Sequence, residues 1–155
     1  MEQQSVIHST FVLERSYPAP PELVFAAFAD PARKRRWFID AGGNHVEHYE
    51  LDFRVGGKER GRFVHGVPPK GITCTHDTRF QDIVPNRRIV FASTMSVGAQ
   101  CISASLVTIE LLPSGAGTDL ILTHQGAFFE GADGPEIREA GWRTLLERLA
   151  AEFQR

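Results

Sequence analysis

Residues 135–153 read PEIREAGWRTLLERLAAEF. Ile137, Trp142, Leu145, Leu146, Leu149 and Phe153 recur at three- to four-residue steps, with Arg and Glu between them. That period predicts one long amphipathic helix. Asp133-Gly134-Pro135 reads as its entry turn, with proline at the first helical position and Glu136 facing the positive end of the helix dipole. A helix with an apolar stripe has to bury it, and the partner is what decides the fold.

Upstream of that helix the pattern is strand and turn for some eighty residues from His45. HVEHYELDFRV ends at Gly56-Gly57, and KERGRFVHG ends at the Val67-Pro68-Pro69-Lys70-Gly71 turn. ITCTHDTRFQDIV ends at Pro85-Asn86, RRIVFASTMSV near Gly98, and QCISASLVTIELL at Pro113-Ser114-Gly115. TDLILTHQGAF closes the run. Short connections rich in Gly, Pro and Asn favour consecutive antiparallel pairing. At the other end, Val6–Tyr17 alternates as a first strand. Pro20-Pro21 then opens a helix carrying Leu23, Val24, Ala27 and Phe28 on one face. Asp30-Pro31 ends it and caps a second short helix, DPARKRRWF.

The expected architecture is therefore α+β: a curved antiparallel sheet of about seven strands around the long C-terminal helix, with two short helices after strand one, in a single domain over residues 1–155. A curved sheet gripping a helix leaves room between them for a ligand cavity.

Charge and composition narrow the partners. Lys plus Arg number 17 against 19 Asp plus Glu, a formal net charge of −2, which argues against a whole-domain attraction to nucleic acid. The cations of DPARKRRWF are expected on the wet side of a short capped helix. No apolar run approaches the ~20 residues of a membrane span. The opening MEQQSVIHSTFVLERSY has no basic segment followed by an apolar one, so a soluble cytoplasmic chain is expected. Cys74 and Cys101 fall on strands separated by a third, about 9–10 Å apart, too far for a disulfide.

Among the histidines none has zinc or HExxH spacing, so neither a metal nor another cofactor is expected. His45 and His48 do not share a strand face. His124 does share one with Leu120, Leu122 and Gly126, and faces the core if the leucines do. There it can orient a ligand or work as a general base, or it can be a core histidine satisfied by a neighbour. Glu59, Gly61, Phe63 and His65 share a face opposite Arg60 and Arg62, so Phe63 and His65 are candidates for the cavity wall. No nucleophile elbow, P-loop or dinucleotide fingerprint occurs.

Five segments in this order resemble the START-like, helix-grip (birch-pollen-allergen-like) superfamily. They are YPAPPELVFAAFADPARKRRWF, DFRVGGKERGRFV, FQDIVPNRRIVFA, GTDLILTHQGAF and GWRTLLERLAAEF. Within it the chain is similar to the branch named after the activator of heat shock protein 90 ATPase, which overlaps the polyketide-cyclase-like group. The resemblance covers roughly residues 10–153. It implies that some aromatic side chains line a pocket while the rest fill the core, and Trp37, Phe91 and Trp142 are the candidates for lining.

Three functions are consistent with these features. The leading one is binding of a small, largely apolar molecule, oriented by His124, His65 and hydroxyls such as Ser93 and Ser105. A cyclase- or hydrolase-like enzyme with His124 as base is the second. A chaperone-regulating or homodimeric interaction module is the third.

Overall fold

The computed structural model describes residues 5–65 and 71–154, and the expected turn at Val67–Lys70 lies outside them. Seven strands form one antiparallel sheet: β1 (Ile7–Tyr17), β2 (His45–Leu51), β3 (Lys58–His65), β4 (Ile72–Val84), β5 (Arg88–Val97), β6 (Gln100–Ser114) and β7 (Gly117–Phe128). Their order is β1-β7-β6-β5-β4-β3-β2, so the meander closes by pairing its last strand with the first. Between β1 and β2 lie α1 (Pro21–Ala29) and α2 (Pro31–Phe38); α3 (Pro135–Ala150) follows β7. This is the α+β helix-grip architecture expected from the pattern.

Local chemistry sets the junctions. Asp30 caps α2, its Oδ1 accepting from the Ala32 and Arg33 amides at 2.9 and 3.4 Å, with Pro31 at the first helical position. At the tip of the β4–β5 hairpin Asn86 takes a positive φ of 65°, a conformation its short polar side chain tolerates. Register shifts at Phe80/Asp82 on β4 and Met95/Ser96 on β5 are the bulges that bend the sheet.

The concave face and α3 share one core. Leu122, Leu120, Ile109, Leu146 and Leu149 have no exposed surface, and burying each such side chain contributes about 1.5–3 kcal/mol. Tyr17 at the end of β1 donates from its phenol to the Leu146 carbonyl at 2.8 Å, tying strand to helix. The helical stripe departs from expectation at both ends. Ile137 is exposed, lying over the cavity mouth, and the last turn, Ala151–Phe153, tightens to a 3₁₀-helix. Cys74 and Cys101 stand on β4 and β6 with β5 between them, and both are free thiols.

One expectation for DPARKRRWF fails. Arg33, Arg35 and Arg36 face solvent, but Lys34 is buried. Its Nζ lies 2.9 and 3.1 Å from the two carboxylate oxygens of Glu59 on β3, and 4.3 Å from the Phe38 ring centroid. Lys34, Trp37 and Phe38 stand three and four positions apart, so on an eight-residue helix the cation shares the face of the aromatics.

Candidate functional site

Between α3 and the concave face lies a cavity of about 440 Å³. Aromatic and aliphatic groups make most of its wall: Phe38 and Ile39 from the end of α2, Phe63 from β3, Phe91 from β5, Val107 from β6, and Trp142 and Leu145 from α3. Phe38 and Phe91 flank Trp142 with ring centroids 6.2 and 6.5 Å away.

The floor is a different matter. Thr78 on β4 pairs in register with Ser93 on β5, Ser93 with Ser105 on β6, and Ser105 with Gly126 on β7. Because side chains alternate across a strand, this row presents three hydroxyls to the cavity. The Thr78 and Ser93 hydroxyls bond to each other at 3.0 Å. The Ser105 hydroxyl has no partner. Two residues from Thr78 on β4 is His76, and two from Gly126 on β7 is His124.

Both imidazoles are buried beside the cavity. His124 stacks on Phe11 at 4.5 Å between centroids, and its Nδ1 has no hydrogen-bond partner. Burial, reinforced by the Arg138 charge, pushes its pKa down to about 4. His76 meets the edge of Phe38 at 5.2 Å, and neither of its ring nitrogens is partnered. Its pKa is lowered by burial, against the pull of the Glu59 carboxylate. Both rings are therefore neutral at pH 7, each with one donor and one acceptor.

These shifts carry a pH dependence. Between about pH 6.5 and 4 the unfolded chain takes up a proton on His124 that the folded chain refuses, so stability falls as pH falls through that window. The His124→Phe variant should escape about 3 kcal/mol of that loss, read as a flatter plot of urea-unfolding free energy against pH.

Charged groups near the cavity are already engaged. Behind His76, Glu59 accepts from Lys34 and, at 2.6 Å, from the Tyr49 hydroxyl. Burial alone would raise the Glu59 carboxyl; the Lys34 charge, His76 and the two hydrogen bonds carry it below its ordinary value. At the start of α3, Arg138 forms a bidentate pair with Asp133, both contacts at 2.8 Å, and donates to Ser103 Oγ at 2.9 Å. At the mouth, Arg148 donates to the Ala41 carbonyl at 3.3 Å, beside Gly42. Gly42 has a φ of +84°, and any β-carbon there would strike the guanidinium.

Of the side chains proposed from the sequence, Phe63, His65, Phe91, His124 and Trp142 all border the cavity, as do Ser93 and Ser105. His65 is at the exposed rim, with Nδ1 3.2 Å from Asn44 Oδ1. Trp37 does not border it. Its ring is buried against Phe28 and its Nε1 donates to the Ala27 carbonyl at 2.9 Å, so it belongs to the core and its neighbour Phe38 takes the wall. Sequence reasoning missed His76, the Lys34–Glu59 pair and the Arg138–Asp133 pair. Among the described residues no group of three or more His, Cys, Asp or Glu could hold a metal ion, and no helix is long and apolar enough to cross a membrane.

This arrangement of sheet, helix and cavity matches known proteins. Residues 18–154 match the family described as activator of Hsp90 ATPase homolog 1-like protein. The chain belongs to that family. Similar solved structures include a protein from Rhizobium loti, 54% identical, covering 96% of this chain and 99% of its own, with a TM-score of 0.87. A second, from Rhizobium leguminosarum, is 36% identical, covers 97% of each chain and has a TM-score of 0.89. A protein in the dynemicin biosynthetic locus shares the fold at 22% identity and a TM-score of 0.63, this chain spanning 48% of that one. No curated protein matches. Membership of the activator of Hsp90 ATPase homolog 1-like family goes with the fold, and one fold hosts many activities.

Proposed function

We propose that the protein binds a small, largely apolar molecule between the sheet and α3. The observation that carries this reading is a cavity of about 440 Å³, walled by aromatic side chains, into whose lining fall the unpartnered buried polar atoms of His76, Ser105 and His124. Its size falls within the roughly 300–1,000 Å³ of small-molecule sites, which are typically apolar with a few placed polar groups. An unsatisfied buried polar atom costs about 1–3 kcal/mol. A fold that keeps several such atoms beside one cavity recovers that cost when a ligand supplies the missing partners.

The catalytic alternative has one observation in its favour, the free Nδ1 of His124 facing the cavity. A base whose pKa is pushed to about 4 takes up a proton poorly at neutral pH. His124 is better suited to accept a hydrogen bond than a proton, which favours holding over turnover.

The test is a titration with the uncharged dye N-phenylnaphthylamine, followed by fluorescence. Saturable one-to-one binding is expected, abolished in Phe91→Asp. Because Phe91 is buried, Leu145→Glu serves as the milder variant: Leu145 is half-buried on α3, and a carboxylate there should weaken binding about tenfold or more. A folded protein with no saturable dye binding would contradict the proposal.

A further inference from the structure

We propose that the occupant of the cavity is an uncharged molecule bearing oxygen functions at two separated points, one met by His76 and the other by His124 and Ser105. This deepens the preceding reading and rests on it.

The first ground is what the floor lacks. Among the described residues, the buried side-chain polar atoms without a hydrogen-bond partner are His76 Nδ1, His76 Nε2, Ser105 Oγ and His124 Nδ1, and all belong to residues lining this one cavity. A native interior satisfies nearly all such atoms. Their confinement to one place marks where a ligand's own donors and acceptors belong.

The second ground is that the backbone makes room for both rings. Gly61 is the cross-strand partner of His76, and a β-carbon there would collide with His76 Nε2 and lie 2.7 Å from Ile39 Cδ1. Gly126 stands two residues from His124, and a β-carbon there would lie 2.8 Å from His124 Cε1. Each imidazole thus lies across a glycine, packed against the Phe38 or Phe11 ring, with both His76 nitrogens and His124 Nδ1 left without a hydrogen-bond partner. A histidine kept purely for packing has no need of this, since an aliphatic or phenyl group fills such space without orphaned nitrogens.

The third ground is position. His76 is on β4 and His124 on β7, with β5 and β6 between them, and the Thr78–Ser93–Ser105 row crosses the space. The two polar points therefore lie at opposite sides of the floor, with the Thr78 and Ser93 hydroxyls, already bonded to each other, between them and the Phe91 and Trp142 rings on the wall. Three strand spacings amount to about 14 Å on a flat sheet, and curvature shortens the span. That suits a fused-ring or similarly extended skeleton with a hydroxyl or carbonyl at either end.

The fourth ground is charge. The ionised groups lining this space are Arg138 with Asp133 at the start of α3 and Arg148 at the mouth, while the Lys34–Glu59 pair lies behind His76. The two ion pairs neutralise themselves, and Arg148, hydrogen-bonded to the Ala41 carbonyl, keeps the remaining positive charge on α3 at the mouth rather than on the sheet floor. Neutral imidazoles and hydroxyls serve both directions of hydrogen bonding, which matches hydroxyl and carbonyl groups.

Naphthalene, dihydroxynaphthalene (the two hydroxyls on opposite rings) and naphthalene dicarboxylate test this by calorimetric titration. The diol should bind about tenfold or more tightly than naphthalene, and the dicarboxylate more weakly than the diol. In His76→Leu, His124→Phe and Ser105→Ala the diol-to-naphthalene affinity ratio should fall towards one. The unliganded variants should unfold at the same or higher urea concentration than the parent, because each removes an unpaired buried group. A diol no better than naphthalene, a dicarboxylate that binds most tightly, or variants that unfold at lower urea would each overturn the inference. Should N-phenylnaphthylamine also fail to bind, the cavity-binding reading falls with it. Should the dye bind while the diol shows no preference, only this inference falls.

Discussion

Replacing Glu59 by alanine is expected to lower the unfolding free energy by about 3–5 kcal/mol. The carboxylate and the Lys34 ammonium are both buried, at 1% and 3% side-chain exposure, so neither has water to fall back on. Removing the acid leaves a cation among Phe28, Trp37 and Phe38, whose ring faces compensate only in part. It also strands the Tyr49 hydroxyl, which now donates to Glu59 Oε2. A salt bridge on the surface would cost about 0–1 kcal/mol to break, so urea denaturation separates the two cases cleanly. The double variant Lys34→Met with Glu59→Leu should recover most of the loss, because two apolar groups of similar volume leave no charge behind. A loss below about 1 kcal/mol in Glu59→Ala would mean that the pair is solvated.

The second large effect belongs to Trp37. Substituting alanine should cost about 3–5 kcal/mol, since the ring is 1% exposed, packs edge-on to Phe28 at 5.0 Å, and bonds the Ala27 carbonyl that α1 leaves open near its end. Dye affinity of the folded fraction should stay the same, because Trp37 does not touch the cavity. Trp142→Ala should do the reverse, weakening dye binding about tenfold at a smaller cost in stability. Parallel urea and fluorescence titrations check both. If Trp37→Ala weakened the dye as much as Trp142→Ala, the division between core and wall would be wrong.

This contrast shows how far the sequence carries. The sheet and the grip helix were legible because their signals are local: turn residues at Gly56-Gly57, Pro85-Asn86 and Gly115, the Asp30-Pro31 cap, and a three-to-four repeat sustained from Trp142 to Phe153. Cavity residues on regular strands were legible for the same reason, since the period of two that turns Leu120 and Leu122 inward also turns His124 inward. Trp37 was not, because an eight-residue helix fixes the spacing of its side chains but not its rotation about its own axis. Packing against α1 and β3 decides that rotation, sending Trp37 to Phe28 and Phe38 to the cavity.

His76 was hidden differently. Its strand reads ITCTHDTRF, where polar residues occupy both faces, so no apolar alternation marks which side is inward. The one signal was that His76 stands four residues from Phe80, on its face. Lys34–Glu59 joins residues 25 apart across two elements, and nothing short of the assembled fold brings them together.

The central claim is that a ligand occupies the space between the sheet and α3, and solution NMR tests it most directly. Adding N-phenylnaphthylamine should shift the ring resonances of His76 and His124 and the Trp142 indole signal together, saturating at one dye per protein, while the Trp37 indole moves least. Shifts confined to exposed apolar residues such as Val12 and Leu112 on the outside of the sheet, with the two histidines and Trp142 unmoved, would contradict it.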